Sequence, residues 1–483
     1  MKKYITIGAV AFLTLFGCTD DFEEINTNPN EPEVVSSDLL LSTVISTLAT
    51  TAADASGWDR GNIVAQLTAK INFTGFDRYS WGSESGLWNT YYGILPEINI
   101  ILENARAEES RNTSYEGIAL TLRAYVFANL TDNYGDVPFS EAIRGIEGNF
   151  TPAYDTQEDI YEGILTDLST AEAQLALGQP ILGGDVLYGG DIEKWRKFAN
   201  SLRLRYLMRA SNRLEGGFVS IEMASILDSG IFIATNEDNG AMVYPASTQI
   251  DSWPISTGRI GGFDEHRMSE TSEATLKQFN DGRLEAWFQP TDNPEDDPTL
   301  FVGLPNGLSE DAASTFNGGA SNVSRLNQAF FYDSPNSVKA AIIQAAEVHF
   351  IFAEAFQRGL LSGGEAEVFY NEGVRLSFEY WGVDQDVPSY LTQPGVAYDG
   401  ELETIITQKW LASFLVGLEG WYDFRRTGFP SAIVPGLNNT NADRVPVRFL
   451  YPDSEQTLNG DNYQAAVSRF GGDDINTKGW WEN

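Results

Sequence analysis

The chain has 483 residues, 42% of them hydrophobic, enough for a sizeable core in one large domain or several smaller ones. Its 68 acidic residues outnumber 31 basic ones and give a formal charge of −37, which argues against a surface that binds nucleic acid or anionic lipid. One cysteine, Cys18, excludes intrachain disulfides and cysteine-ligated metal, and two histidines, His266 and His349, exclude a histidine-cluster zinc centre.

Residues 1–17 read as an export signal: Met1-Lys2-Lys3 is a charged start, and the apolar run that follows, from Tyr4 to Phe16, is too short for a stable membrane span. The signal ends Leu15-Phe16-Gly17-Cys18, which looks like a lipobox, so Cys18 is expected to be acylated and to anchor the protein. The carboxylates of Asp20, Asp21, Glu23 and Glu24 would be repelled by anionic headgroups and read instead as an address. Residues 18–34 are polar and proline-punctuated, a tether between lipid and fold.

From Ser37-Asp38 a capped helix is expected to about Thr50, with Leu40, Leu41, Val44, Ile45 and Leu48 in step. Residues 61–73 and 87–107 read as the next two helices, separated by an aromatic loop punctuated with glycine and serine. Residues 116–129 form the clearest helix, with Ile118, Leu122, Tyr125 and Leu130 on one face; turn formers at 132–136 and Pro138 end it. Helices follow at 160–177 and 191–210, the second capped by Asp191 and carrying Arg203, Arg205 and Arg209, which are expected to pair with carboxylates of neighbouring helices. The pattern then changes. Residues 216–335 read as an irregular lobe rich in Gly, Pro, Asn and Asp, with helices resuming at 337–357, 364–381 and 401–417 and a loop-like tail from Val445. His349, flanked by Val348 and Phe350 in a helical run, reads as a packing residue.

Chemistry-bearing motifs are missing: no phosphate loop, dinucleotide fingerprint, nucleophile elbow or paired-histidine metal motif is present. The acidic run 292–297 could coordinate a structural calcium but lacks the EF-hand spacing and glycine, so it reads as solvated loop and no cofactor is assigned.

Several blocks together resemble the SusD/RagB family of outer-membrane nutrient-binding lipoproteins, in its second SusD-like subfamily. They are Cys18 with its acidic follow-on, Ile25 to Asn30, Leu122-Arg123-Ala124, Tyr134-Gly135-Asp136-Val137-Pro138, Lys194 to Arg203, Gln408-Lys409-Trp410 and Glu419 to Pro430. Arg448, Tyr451-Pro452, Glu455 and Lys478-Gly479-Trp480-Trp481 complete the set, in order along the chain. The resemblance implies a mostly α fold, in which tetratricopeptide-like helical pairs form a superhelical body bearing a loop-rich lobe, so that 35–483 is a single domain. It also implies a non-catalytic, surface-exposed lipoprotein of the outer membrane. Such a protein would capture oligosaccharides, or in some members peptides, and close as a lid over a SusC-like TonB-dependent transporter.

Sugars offer C–H faces to aromatic rings and hydroxyls to Asp, Asn and Arg, so aromatic residues in glycine-rich loops are the binding candidates. One set lies around the first loop: Trp58, Asp59, Arg60, Asp77, Arg78, Tyr79 and Trp81. The other lies in the lobe: Trp253, Phe263, Arg267, Trp287 and Tyr332. Trp88, Trp195, Trp410 and Trp421 read as core. Three other readings stay open: the same architecture with a peptide or other nutrient as ligand, a helical glycoside hydrolase with two facing carboxylates, and a purely structural helical scaffold.

Overall fold

A computed structural model describes residues 35–292, 297 and 299–482. The signal, Cys18, nearly all of the tether and most of the candidate calcium loop therefore lie outside the described residues. From Ser37 onward the chain forms one compact unit.

Helix α1 (Ser37–Thr51) buries Leu41, Val44, Ile45 and Leu48 as its spacing predicts, then continues as a ten-residue π-helical segment, Ala52–Gly61. The expected helix at 61–73 does not form. After the turn Asn62–Val64, Gln66 takes a left-handed conformation (φ 54°), and Thr68–Lys70 becomes strand β1. The partner that overrides local helical pattern comes from far along the chain, in the lobe.

Helices α2 (Gly86–Arg106) and α3 (Thr113–Tyr134) follow. Asn112 caps α3 by accepting from the backbone N–H groups of Ser114 and Tyr115. The amphipathic pattern of α3 understates its burial: every residue but Arg123 is buried, and Arg123 pairs with Asp167 at 2.6 Å. The helix runs through Asp132 and Asn133 and stops at Gly135 (φ 87°), where a side chain would also strike the Phe470 ring at 2.5 Å. Around it pack α2 and α4 (Gln157–Leu175), and α4 in turn packs on α5 (Ile192–Arg209). Gly117 lets α3 and α4 approach closely, since a Cβ there would lie 2.6 Å from Leu175. Consecutive helices thus pair in the tetratricopeptide manner.

Residues 216–229, expected to open the irregular lobe, instead form helix α6 (Gly216–Ser229), burying Val219, Met223 and Ile226 at helical spacing. Beyond it the lobe is built from strand β2 (Gly240–Val243), strand β3 (His266–Met268), helix α7 (Glu270–Gln278) and short helical turns. The stretch at 337–357 splits into strand β4 (Lys339–Ile343), paired with β2, and helix α8 (Ala345–Gln357). Helices α9 (Ala366–Trp381) and α10 (Leu402–Ala412) pack on α8, and α11 (Glu419–Thr427) follows. The tail, read as loop, contains Asp453–Leu458 and α12 (Gly460–Phe470).

Arg203, Arg205 and Arg209 all reach carboxylates of other helices, Arg203 pairing with Glu222 of α6. Arg205 holds Glu347 of α8 with contacts of 2.6 and 2.5 Å and lies 3.3 Å from Glu419 of α11, while Arg209 bridges Glu419 and Asp132.

Candidate functional site

Strands β1 and β3 pair antiparallel, Thr68 opposite Met268, Ala69 opposite Arg267 and Lys70 opposite His266, and this short ladder joins the first loop to the lobe. Behind it the π-helical segment inserts Trp58 into an aromatic cluster. Its ring lies 6.1 Å from Trp253, 5.9 Å from Phe263, 4.9 Å from His266 and 6.1 Å from Phe331. Tyr332 packs on Phe263 at 5.4 Å, and the Trp253 indole N–H donates to the Phe331 carbonyl at 3.0 Å. Trp287 stacks on Phe414 at 4.5 Å, linked to the cluster through Phe331.

Trp58, Trp253, Phe263 and Trp287 are therefore interior, at most 2% exposed, with their faces covered by other rings. The lobe has little regular structure of its own, so aromatic burial is what fastens it to the helical body. Arg267 is buried beside them; burial holds its guanidinium down to about 10, and its Nη1 donates to the His266 carbonyl at 3.2 Å.

In the first loop, Asp77 and Tyr79 are buried too. The Asp77 carboxylate accepts from the Lys70 backbone N–H (3.1 Å) and the Asn306 amide (2.8 Å). Arg78 and Trp81 keep partial exposure. Arg78 Nε donates to the Asn438 carbonyl at 2.9 Å. Trp81 donates to the Phe76 carbonyl at 2.9 Å and stacks on the Phe76 ring at 4.7 Å. Tyr332 is also half-buried, its hydroxyl donating to Gly258 O at 3.0 Å. Of the twelve residues singled out in the sequence, the partly or well exposed ones are thus Asp59, Arg60, Arg78, Trp81 and Tyr332.

Charges border this face. Lys70 Nζ sits 2.7 Å from Glu265 and 3.4 Å from His266 Nε2, and His266 Nε2 lies 3.7 Å from the half-exposed Asp59. Arg60 grips Glu84 through two contacts, at 3.0 and 3.2 Å. Lys70, Glu84 and Glu265 carried no sequence signal, because their partners are 24 to 196 residues away. Such a mix of carboxylates, guanidinium groups and aromatic edges suits hydrogen bonding to a polyol. Among the described residues no group of three His, Cys, Asp or Glu side chains is placed to hold a metal ion.

Burial shifts two groups here in opposite senses. It pushes the Asp77 carboxyl up from 3.8 to about 6, despite hydrogen bonds from Asn306 and Lys70 that pull it down. It pushes His266 down from 6.5 to about 4, against the Asp59 hydrogen bond. Folded Asp77 binds more protons than unfolded Asp77 between pH 4 and 6, so its contribution to stability rises as pH falls. Folded His266 binds fewer than unfolded, so its contribution is lost as pH falls through 6.5. Each effect amounts to roughly 1–2 kcal/mol between pH 7 and 5. Relative to wild type, Asp77→Asn should therefore lose stability over that interval and His266→Phe should gain it. Urea unfolding at the two pH values measures this, and parallel shifts of both variants would contradict the assignment.

The family model described as SusD-like, starch-binding associating with outer membrane, matches residues 29–452. A solved SusD homolog of Bacteroides fragilis NCTC 9343 is 27% identical with a TM-score of 0.80, the match covering 93% of this chain and 99% of that one. A second SusD homolog of the same organism is 25% identical with a TM-score of 0.80, covering 93% and 100%. A chitin-binding protein is 26% identical with a TM-score of 0.80, covering 92% and 100%. No curated protein matches the chain.

Proposed function

Because the chain belongs to the SusD-like family, its model matching residues 29–452, we propose that it is a non-catalytic surface lipoprotein that captures oligosaccharides and passes them to a SusC-like TonB-dependent transporter. Cys18 carries the lipid that holds it to the outer membrane. The observation that carries this reading is the match to the family over residues 29–452, together with a structural likeness to a chitin-binding protein that covers 92% of the chain. Trp81, Arg78 and Tyr332 are the proposed ligand contacts, with Asp59 and Arg60 at the edge. Asp77, Tyr79, Arg267 and the rings of Trp58, Trp253, Phe263 and Trp287 are buried and are assigned packing roles.

Calorimetric titration of the full chain in detergent, against chito- and malto-oligosaccharides and a peptide panel, tests the reading. Binding of one saccharide series is expected, with Trp81→Ala weakening it at least tenfold, as truncation of a central aromatic contact commonly does. Binding of peptides alone would move the assignment to peptide capture, and saccharide binding untouched by Trp81→Ala would place the site elsewhere.

A further inference from the structure

Phe73 is 72% exposed, yet its backbone is held by a carboxylate from far along the chain. Its backbone is left-handed, φ 55°, a conformation that an aromatic residue adopts only when its surroundings impose it. Both oxygens of the Glu310 carboxylate do so, accepting the Phe73 N–H at 2.8 Å and the Thr74 N–H at 3.1 Å. Charge-assisted bonds of this kind are the stronger class.

Glu310 is itself fixed. It opens the helical turn Glu310–Thr315, and the N–H of Ser309 just before it donates to Asn438 Oδ1 at 3.2 Å. Asn438 O is the acceptor for Arg78 Nε, and the Thr440 N–H donates to the Arg78 carbonyl at 2.8 Å. Residues 73–80, 306–310 and 436–440 are thus stitched into one polar scaffold that carries Phe73 and Arg78 together. A lone exposed apolar side chain is unremarkable on any surface. An exposed ring whose backbone is fixed by a carboxylate clamp in a left-handed conformation is different: the clamp sets the direction in which the side chain leaves the loop, and so removes the backbone part of the ordering cost from binding.

We infer that Phe73 is a second aromatic contact for an uncharged pyranose unit, carried on a pre-ordered backbone and distinct from the one Trp81 engages, and that Glu310 is the residue that positions that backbone. This rests on the saccharide-binding reading above and extends it to chain length. Phe73 and Trp81 stand eight positions apart in the loop, and the Trp81 ring is committed to Phe76 and Phe449 rather than to Phe73. Two separate rings contact two separate sugar units, so the Phe73 contact is reached by longer oligosaccharides and missed by a disaccharide.

The test is calorimetry on the full chain in detergent, with disaccharide and hexasaccharide of the series that wild type binds, alongside thermal melts. Phe73→Ala is expected to weaken hexasaccharide binding at least fivefold, leave disaccharide binding within twofold, and leave the melting temperature close to wild type. Phe73→Tyr should restore the hexasaccharide affinity. Glu310→Ala should reproduce the length-selective loss although the ring is still present, a result that a ring acting without its clamp would not give. Equal affinity of wild type and Phe73→Ala for both lengths overturns the inference while leaving the saccharide reading intact. An equal loss for both lengths also overturns it. Wild-type protein that binds no saccharide overturns both.

Discussion

Arg209→Ala is expected to lower stability by about 3–5 kcal/mol, the usual result of breaking a buried ion pair from one side. Arg209 on α5 bridges Asp132 of α3 and Glu419 of α11, and all three side chains are at most 8% exposed. The guanidinium also lies over the Tyr422 ring at 4.6 Å. The Asp132 carboxylate keeps the Tyr161 hydroxyl at 2.6 Å and the Trp481 indole N–H at 2.9 Å after the substitution, while the Arg425 guanidinium stays on the Asp132 backbone carbonyl at 2.7 Å. Among the described residues, the ion-pair partner left to Glu419 is Arg205 at 3.3 Å, which is already engaged by Glu347. An interior carboxylate stripped of its charge partner is what makes the single substitution costly, more than the loss of a favourable pair. The double variant Arg209→Met/Asp132→Asn removes one charge of each sign and should recover part of the loss. Urea midpoints at unchanged slope measure both. A single-variant loss under about 1 kcal/mol would show that the three helices are held by apolar packing alone.

That network bears on what the sequence revealed. The blocks that carried the family resemblance turn out to build this interior. Glu419, Asp423, Arg425 and Arg426 all lie on α11, where Asp423 pairs with Lys409 at 2.8 Å and Arg425 with Glu482 at 2.6 Å. Trp481 reaches Asp132, and Asp136 caps the start of α4 through the Gln157 N–H at 2.9 Å. Such motifs report the fold because buried charges tolerate few substitutes, and for the same reason they say little about ligand. Helices α1 to α5, apart from the misread stretch at 61–73, were legible because each is capped or spaced locally. β1 and β4 were not, since runs of three to five residues are too short for a periodicity to separate strand from helix, and the partner strand decides. Likewise Lys70, Glu265 and Phe73 acquire their roles only when β1 meets β3 and Glu310 closes on the loop. The aromatic residues of the lobe were visible as a set. Whether each ring faced solvent or its neighbours depended on packing that glycine-rich spacing does not encode.

Trp253→Ala offers the sharpest contrast between packing and binding. The Trp253 ring is fully buried, edge-on to Trp58 at 6.1 Å and beside Tyr244 at 5.9 Å, and its N–H is satisfied by Phe331 O. Truncation leaves a large cavity and an unpaired carbonyl between lobe and body, for an expected loss of about 3–5 kcal/mol. Saccharide affinity, measured where the variant is still folded, should stay within a few-fold of wild type. Trp81→Ala should do the reverse, because that ring is partly exposed and part of its area already faces solvent: a smaller stability loss with a larger loss of affinity. Measuring melting temperature and dissociation constant for both variants separates the two roles. A Trp253→Ala protein that melts like wild type but no longer binds saccharide would mean that the lobe opens to expose this ring to ligand. The aromatic cluster would then be part of the binding surface, and the clamp that joins lobe to body would have to lie in the β1–β3 ladder and the Lys70–Glu265 pair instead.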